Sequence, residues 1–258
     1  MLRIFFYHPG FAYLNRIIRF VSLTILSLGT VSLFSADPEP FDQDEYSGKS
    51  IETVSEAYQI IKTRFFNAPV LGSQAPAFEL KDGKTGKSVT LKSLHAEKPV
   101  VLFFGSLGCD VFRGSVKEII RMSTEHSDKF NFVMVYIREA HSLSGFGPEI
   151  GKIEDPLTDA ARSEAAKACA VETSIPFQIL IDSVEDRTAT RWSAWPVRLF
   201  VVGQDGKLLY SGMPGPWGFH PGGNFIPEMP PGFRTHPDRF SQNSLEDFLK
   251  SWKIEASR

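Results

Sequence analysis

Residues 99–112, Pro99-Val100-Val101-Leu102-Phe103-Phe104-Gly105-Ser106-Leu107-Gly108-Cys109-Asp110-Val111-Phe112, decide how this chain is read. The run PVVLFF is continuously apolar and is stopped by Gly105, which predicts a strand buried on both faces. Val111, Ser115, Ile119 and Met122 then recur at helical intervals up to His126, so a helix follows. Residues 130–137 (FNFVMVYI) form a second apolar run and predict a second buried strand. Strand, helix and strand of these lengths make a right-handed parallel crossover, with Cys109 at the turn from strand to helix.

The flanking sequence completes the pattern. Residues 75–80 and 89–91 read as short strands around a turn at 81–87, and 177–182 (FQILID) as a third strand of the parallel set. Residues 199–202 and 208–210 surround a Gln204-Asp205-Gly206-Lys207 turn and predict a hairpin. Helices are expected over 50–66, with Ser50 as N-cap and Ile51, Val54, Tyr58, Ile61 and Phe65 on one face, and over the alanine-rich 159–171. A short terminal helix is expected over 244–252, capped by Ser244 with Asp247 three residues on. Residues 139–158 and 213–237, rich in Gly and Pro, read as irregular. The fold class is α/β, a mixed sheet parallel in its middle and antiparallel at one edge, with helices on both faces.

Bulk composition narrows the function. A chain of 258 residues with 42% hydrophobic content builds one full domain plus appendages. Lys and Arg total 28 against 30 Asp and Glu with no basic block, so nucleic acid is not an expected partner. The two cysteines, Cys109 and Cys169, form neither a CxxC motif nor a Cys/His cluster, and no metal is expected. At the N-terminus Arg3, Arg16 and Arg19 precede the uncharged apolar run 20–34, and Ser35-Ala36-Asp37-Pro38 turns abruptly polar. Some 15 residues fall short of the ~20 of a spanning helix, so the segment reads as a cleaved export signal, with a retained membrane anchor as the alternative. Either one puts the globular part outside the cytoplasm.

Cys109 carries the expected chemistry. Backbone N–H groups and the helix dipole favour an anion at this turn, so the thiol should ionise more readily than a free cysteine, and Gly105-Ser106-Leu107-Gly108 should leave the sulfur accessible. The alternative is a small buried hydrophobe, as many free cysteines are. Cys169, among alanines on its helix, reads as inert, and whether the two pair stays open.

Pro76-Ala77-Phe78, the 99–104 strand, Cys109 and Trp195-Pro196-Val197-Arg198 before a hairpin resemble thioredoxin-like oxidoreductases and peroxiredoxins in order and spacing. The resemblance implies a cis peptide at Pro196 facing the cysteine. Phe112 stands where two-cysteine members keep their resolving cysteine, so an external thiol must reduce an oxidised Cys109, or Cys169 if its helix approaches. A closer resemblance, over residues 71–221, is to the iodothyronine deiodinase family. Its specific parts are Tyr136-Ile137-Arg138-Glu139-Ala140-His141 and Gly215-Pro216-Trp217; Phe104-Gly105-Ser106, Gly145-Phe146, Arg198-Leu199-Phe200 and Tyr210-Ser211-Gly212 also match but are shared with thioredoxin-like proteins at large. The chain departs from the family pattern at Leu107, Asp110-Val111 and Arg138, and has no histidine over 153–159.

The resemblance implies cysteine-dependent removal of iodine from an aromatic ring, with Cys109 at the selenocysteine position. His141 would be the proton donor or the group facing the halogen and Glu139 would orient it, while Ser106 and Tyr136 would donate hydrogen bonds near the sulfur. Asp110 beside the thiol opposes its ionisation. No bound cofactor is expected. The expected partners are a small aromatic substrate and a thiol reductant or thioredoxin-like protein; membrane association through 1–36 and a homodimer are left open. The segments read as 1–36 signal or anchor, 37–68 linker and amphipathic helix, 69–221 thioredoxin-like deiodinase-type domain, and 222–258 Pro/Gly-rich extension with a terminal helix. Two further readings stand beside this one. A peroxiredoxin-like peroxidase is suggested by Ser106 before Cys109 and by Arg198 near the sulfur, although Leu102 stands where that group keeps a proline. A non-catalytic thioredoxin-fold interaction module would leave Cys109 inert.

Overall fold

The structure, a computed structural model, describes residues 49, 51–216, 218, 219, 221, 222 and 236–252. The expected export segment 1–36 and Trp217 lie outside the described residues. One seven-stranded sheet organises the chain in the order β2-β1-β5-β4-β3-β6-β7. Its strands are β1 (Glu79–Asp82), β2 (Ser88–Thr90), β3 (Val100–Gly105), β4 (Asn131–Tyr136), β5 (Gln178–Ile181), β6 (Arg198–Val202) and β7 (Leu208–Ser211). β3, β4 and β5 run parallel, while β6 joins β3 antiparallel and pairs with β7 in a hairpin. The helices are α1 (Val54–Phe66), α2 (Leu91–Leu94), α3 (Asp110–Glu125), α4 (Asp159–Thr173), α5 (Arg187–Trp192) and α6 (Leu245–Ser251). This is the mixed α/β sheet of a thioredoxin-like fold, as the sequence pattern implies.

Strand parity sorts the core into two faces. Phe103 stacks on Phe112 of α3 at 4.8 Å, so the odd-numbered side chains of β3 face α3. Phe104 points the other way, 5.6 Å from Trp192 of α5. Every residue of β3 and of β6 is buried, which is why these strands read as unbroken apolar runs. On the α3 face Leu245 and Leu249 of α6 are fully buried, and Arg121 ties the two helices by meeting Glu118, Glu125 and, at 2.8 Å, Glu246.

Two departures from the expected elements have physical causes. α1 starts later than expected, because Thr53 and not Ser50 is its N-cap: only Thr53 has a glutamate three residues on. Thr53 Oγ1 accepts from the Glu56 N–H at 3.2 Å and Glu56 closes the capping box on the Thr53 N–H at 3.0 Å. Val54 is therefore exposed, and Ala57, Ile60, Ile61 and Phe65 form the buried face. α5 has no expected counterpart. Its N-cap, Asp186, sits in the left-handed region at φ 56° and makes no side-chain cap bond. Its carboxylate turns inward instead, 3.0 Å from Arg138 Nε and 2.9 Å from Arg162 Nη1, and all three side chains are buried. Arg138, which follows β4 and departs from the family pattern, is thus anchored on α5.

Candidate active site

Cys109 is the N-cap of α3, and its Sγ accepts the Phe112 N–H at 3.4 Å. The turn is closed by the Cys109 N–H on the Ser106 carbonyl at 3.2 Å. The expected open approach to the sulfur is absent, since Cys109 is only 2% exposed. The small residues of the turn serve close packing. A side chain at Gly108 would place its Cβ 2.0 Å from the His141 carbonyl oxygen and 2.7 Å from Glu139 Oε2, so the chain after β4 lies directly on the cysteine turn. On the other side Gly215 sits against Val111 and Val197, its N–H on the Val197 carbonyl at 3.0 Å.

This burial reverses the expected acidity. Loss of water pushes the Cys109 thiol up to about 12; the Phe112 and Val111 N–H groups oppose the rise, and the carboxylates of Asp110 and Glu139 add to it. The helix N-terminus is present as expected, but its amides do not offset the desolvation. In this closed arrangement the sulfur is a neutral thiol.

Glu139 is the centre of the polar contacts next to the cysteine. The Tyr136 phenol donates to its Oε1 and the Gly108 N–H donates to its Oε2 at 2.5 Å. The Leu107 N–H reaches the Tyr136 oxygen at 3.5 Å, and Ser106 Oγ accepts the Ala140 N–H at 3.2 Å. Burial raises the Glu139 carboxyl to about 7, against the lowering effect of the Tyr136 and Gly108 hydrogen bonds. A carboxyl so placed exchanges a proton near neutrality.

His141 is adjacent along the chain but oriented by a different group. Its Nδ1 lies 3.0 Å from the Phe146 carbonyl and its ring 4.6 Å from the Phe146 ring. A carbonyl only accepts, which assigns the hydrogen to Nδ1 and leaves Nε2 for proton exchange. Both Glu139 oxygens are engaged elsewhere, so Glu139 does not orient His141 as the resemblance implies.

Arg198 does not approach Cys109. In the antiparallel register it pairs with Phe104, and so faces α5, across the sheet from α3. Its guanidinium donates to the carbonyls of Gly212 (2.6 Å), Trp192 (3.3 Å), Ser193 (3.2 Å) and Arg239 (2.9 Å) and to Ser211 Oγ (3.0 Å), and lies over the rings of Phe65 and Phe200. Pro196 does follow a cis peptide. Beside it Trp195 Nε1 donates to the Glu139 carbonyl at 3.3 Å, a contact the sequence reading missed although the Trp-Pro pair before a strand marks the spot. Arg113, one turn into α3, was also missed; it donates to the Leu107 carbonyl at 2.5 Å and to the Ile150 carbonyl at 3.2 Å.

The family model described as iodothyronine deiodinase matches residues 11–223. The chain belongs to this family. It is 30% identical over 131 residues to the type I iodothyronine deiodinase of Xenopus laevis, a match covering 50% of each chain. It is 25% identical over 186 residues to the thyroxine 5-deiodinase of Gallus gallus, covering 71% of each. Among solved structures, the thioredoxin domain of a thiol-disulfide oxidoreductase from Bacteroides vulgatus superposes with a TM-score of 0.43 at 22% identity, over 57% of this chain and 91% of that one. Within the deiodinase match lie Cys109, Ser106, Tyr136, Glu139 and His141, the group that the fold gathers at the end of β3 and β4.

Proposed function

We propose that this deiodinase-family chain is a thiol oxidoreductase that reductively dehalogenates a small iodinated aromatic compound at Cys109. The observation that supports this reading best is the buried Glu139 carboxyl, raised to about 7 and bonded to the N–H of Gly108, the residue before the cysteine. Reductive removal of a halogen needs a soft nucleophile for the halogen and an acid for the ring carbon. The Cys109 thiol, neutral in the closed arrangement, gives its proton to water once the site opens to substrate; the sulfur then takes the iodine while a proton from Glu139 or His141 goes to the ring carbon, giving a sulfenyl iodide and the deiodinated arene. An external thiol then displaces iodide to form a mixed disulfide, and a second thiol releases Cys109–SH. The arene is reduced and two thiols are oxidised to a disulfide. Phe112 offers no local thiol for this step, so the reductant is a small dithiol or a thioredoxin-like protein.

The peroxidase alternative drew on Arg198 near the sulfur, and Arg198 faces the other side of the sheet, so no observation favours it over dehalogenation. The export order of residues 1–40, together with a family match that begins at residue 11, supports an exported or membrane-anchored enzyme. Among the described residues no helix is long and apolar enough to cross a membrane. Iodide release from iodothyronines and simple iodophenols, measured with dithiol reductant, tests the reading. Release is expected from the wild type and not from Cys109→Ser, and equal release from both overturns it.

A further inference from the structure

A thiol this deeply buried meets neither an aryl iodide nor a reductant until part of its cover moves. Two segments lie against the cysteine turn: residues 139–151, through Gly108, and the chain around Gly215, through Val111. The first carries a side-chain clamp. From the first turn of α3, half-buried Arg113 sends Nη1 to the carbonyl of Leu107, two residues before Cys109, and Nη2 to the carbonyl of Ile150, at the far end of the segment that begins with His141. Residues 141–151 contain no helix or strand. They are folded on themselves by the Ile150 N–H on the Gly147 carbonyl (3.0 Å) and tied outward by the Phe146 N–H on the Ile51 carbonyl (2.9 Å). Gly147, at φ +64°, passes under the His141 ring, where a Cβ would lie 2.6 Å from Nδ1.

We infer that Arg113 is a positioning residue that latches residues 141–151 onto the cysteine turn, so that breaking its fork to Ile150 opens the way to Cys109. Both acceptors are neutral main-chain carbonyls; Ile150 is half-buried, so its bond can be exchanged for water at modest cost, as a reversible latch requires, while Leu107 is buried and holds the other arm of the fork in place. The guanidinium's planar fork spans two acceptors at once, which a lysine ammonium on its flexible stem does not reproduce. Irregular segments with few tertiary bonds open locally while the core stays folded. The segment that Arg113 latches carries His141, whose carbonyl lies on Gly108 and whose ring is held by Phe146, so closure keeps the imidazole's segment on the thiol turn. The inference rests on the proposed function only in taking Cys109 as the reacting group.

The two cysteines supply the test. Both are buried, and Cys169 lies within α4, where only wider opening exposes it. Iodoacetamide labelling of the folded full chain, quantified separately at each cysteine by peptide mass spectrometry, reads the two openings side by side. In Arg113→Met, labelling of Cys109 should accelerate at least tenfold with Cys169 unchanged, and Arg113→Lys should fall between this variant and the wild type. Gly147→Ala, which strains the segment without touching Arg113, should also accelerate Cys109 selectively. An unchanged Cys109 rate in Arg113→Met overturns the latch, and so does equal acceleration of both cysteines, which marks general destabilisation. Should Arg113→Met not fold, Arg113→Lys is judged by the same two criteria. Labelling needs no dehalogenation, so a failed iodide-release assay and a failed latch are separate results.

Discussion

The two faces of the sheet bury polar groups in opposite ways. On the α5 face Arg198 is enclosed but fully supplied, with five acceptors and two aromatic rings around one cation. On the α3 face Cys109 and Glu139 are enclosed and shifted, the thiol to about 12 and the carboxyl to about 7. In the first arrangement burial lowers the Arg198 guanidinium to about 9, still well above neutrality, so it stays a cation and holds main chain together. The second keeps the Cys109 thiol neutral, as it is in water, and brings the Glu139 carboxyl to where it exchanges a proton near neutrality, which serves the proton-transfer half of the proposed reaction. A buried cation with all its acceptors is therefore a strut, whereas Glu139 joins a carboxyl titrating near neutrality to a place beside the cysteine; Asp182, raised to about 6 but spent on the Thr188 and Ala189 N–H groups of α5, has the shift without the place.

If that contrast holds, substitutions on the two faces should have different signatures. The largest effect is expected for Cys109→Ser, which should lower iodide release at least about 10³-fold with little change in thermal unfolding, because the hydroxyl lacks a soft nucleophile's affinity for iodine. Glu139→Gln should lower kcat roughly 10²-fold, the usual worth of a positioned acid, with a smaller effect on KM. Arg198→Met should do the reverse. It strands buried carbonyls and should cost about 3 kcal/mol in urea unfolding while the folded variant keeps its kcat/KM. A fall in kcat with unchanged stability would break the contrast.

The smallest effect is a pH dependence of stability. The folded Glu139 keeps its proton up to about 7, whereas the unfolded carboxyl gives it up near its ordinary value of 4.5. Between these values the folded state binds more protons than the unfolded one, so stability falls as pH rises and levels off above about 7. Asp182, raised by burial to about 6, adds to the slope around and below pH 6 and fades by pH 7, and His126, held below its ordinary value by burial, opposes it. The largest share of the decline between pH 6 and 7, on the order of 1 kcal/mol, belongs to Glu139. Urea unfolding at pH 6.0, 6.5, 7.0 and 7.5 should show the decline in the wild type and most of it gone in Glu139→Gln.

The fold was legible where local pattern and burial coincide. β3, β4 and β6 are apolar runs because they are buried on both faces, and α3 repeats at helical spacing because one side of it packs on Phe103. The site was legible as a list of residues and not as an arrangement. Arg198 and Glu139 both looked like neighbours of the sulfur, but the register that pairs Arg198 with Phe104 is a long-range property that sends it to the other face. Cys109 stands at the helix start as expected, but its burial, given only as the alternative to an accessible sulfur, could not be decided locally, because the cover on its turn comes from Glu139 and His141, far along the chain. α5 escaped detection because Asp186 uses its carboxylate on two arginines rather than on its own helix.

Those two arginines set how the enzyme responds to salt. Arg138, Asp186 and Arg162 are sealed from counterions, so ionic strength does not weaken the anchor that fixes the chain immediately before Glu139. The Arg121 cluster that joins the other half of α3 to α6 stands partly in water and is screened. Molar salt should thus slacken the far end of α3 and leave the end that bears Cys109 in register with its carboxyl.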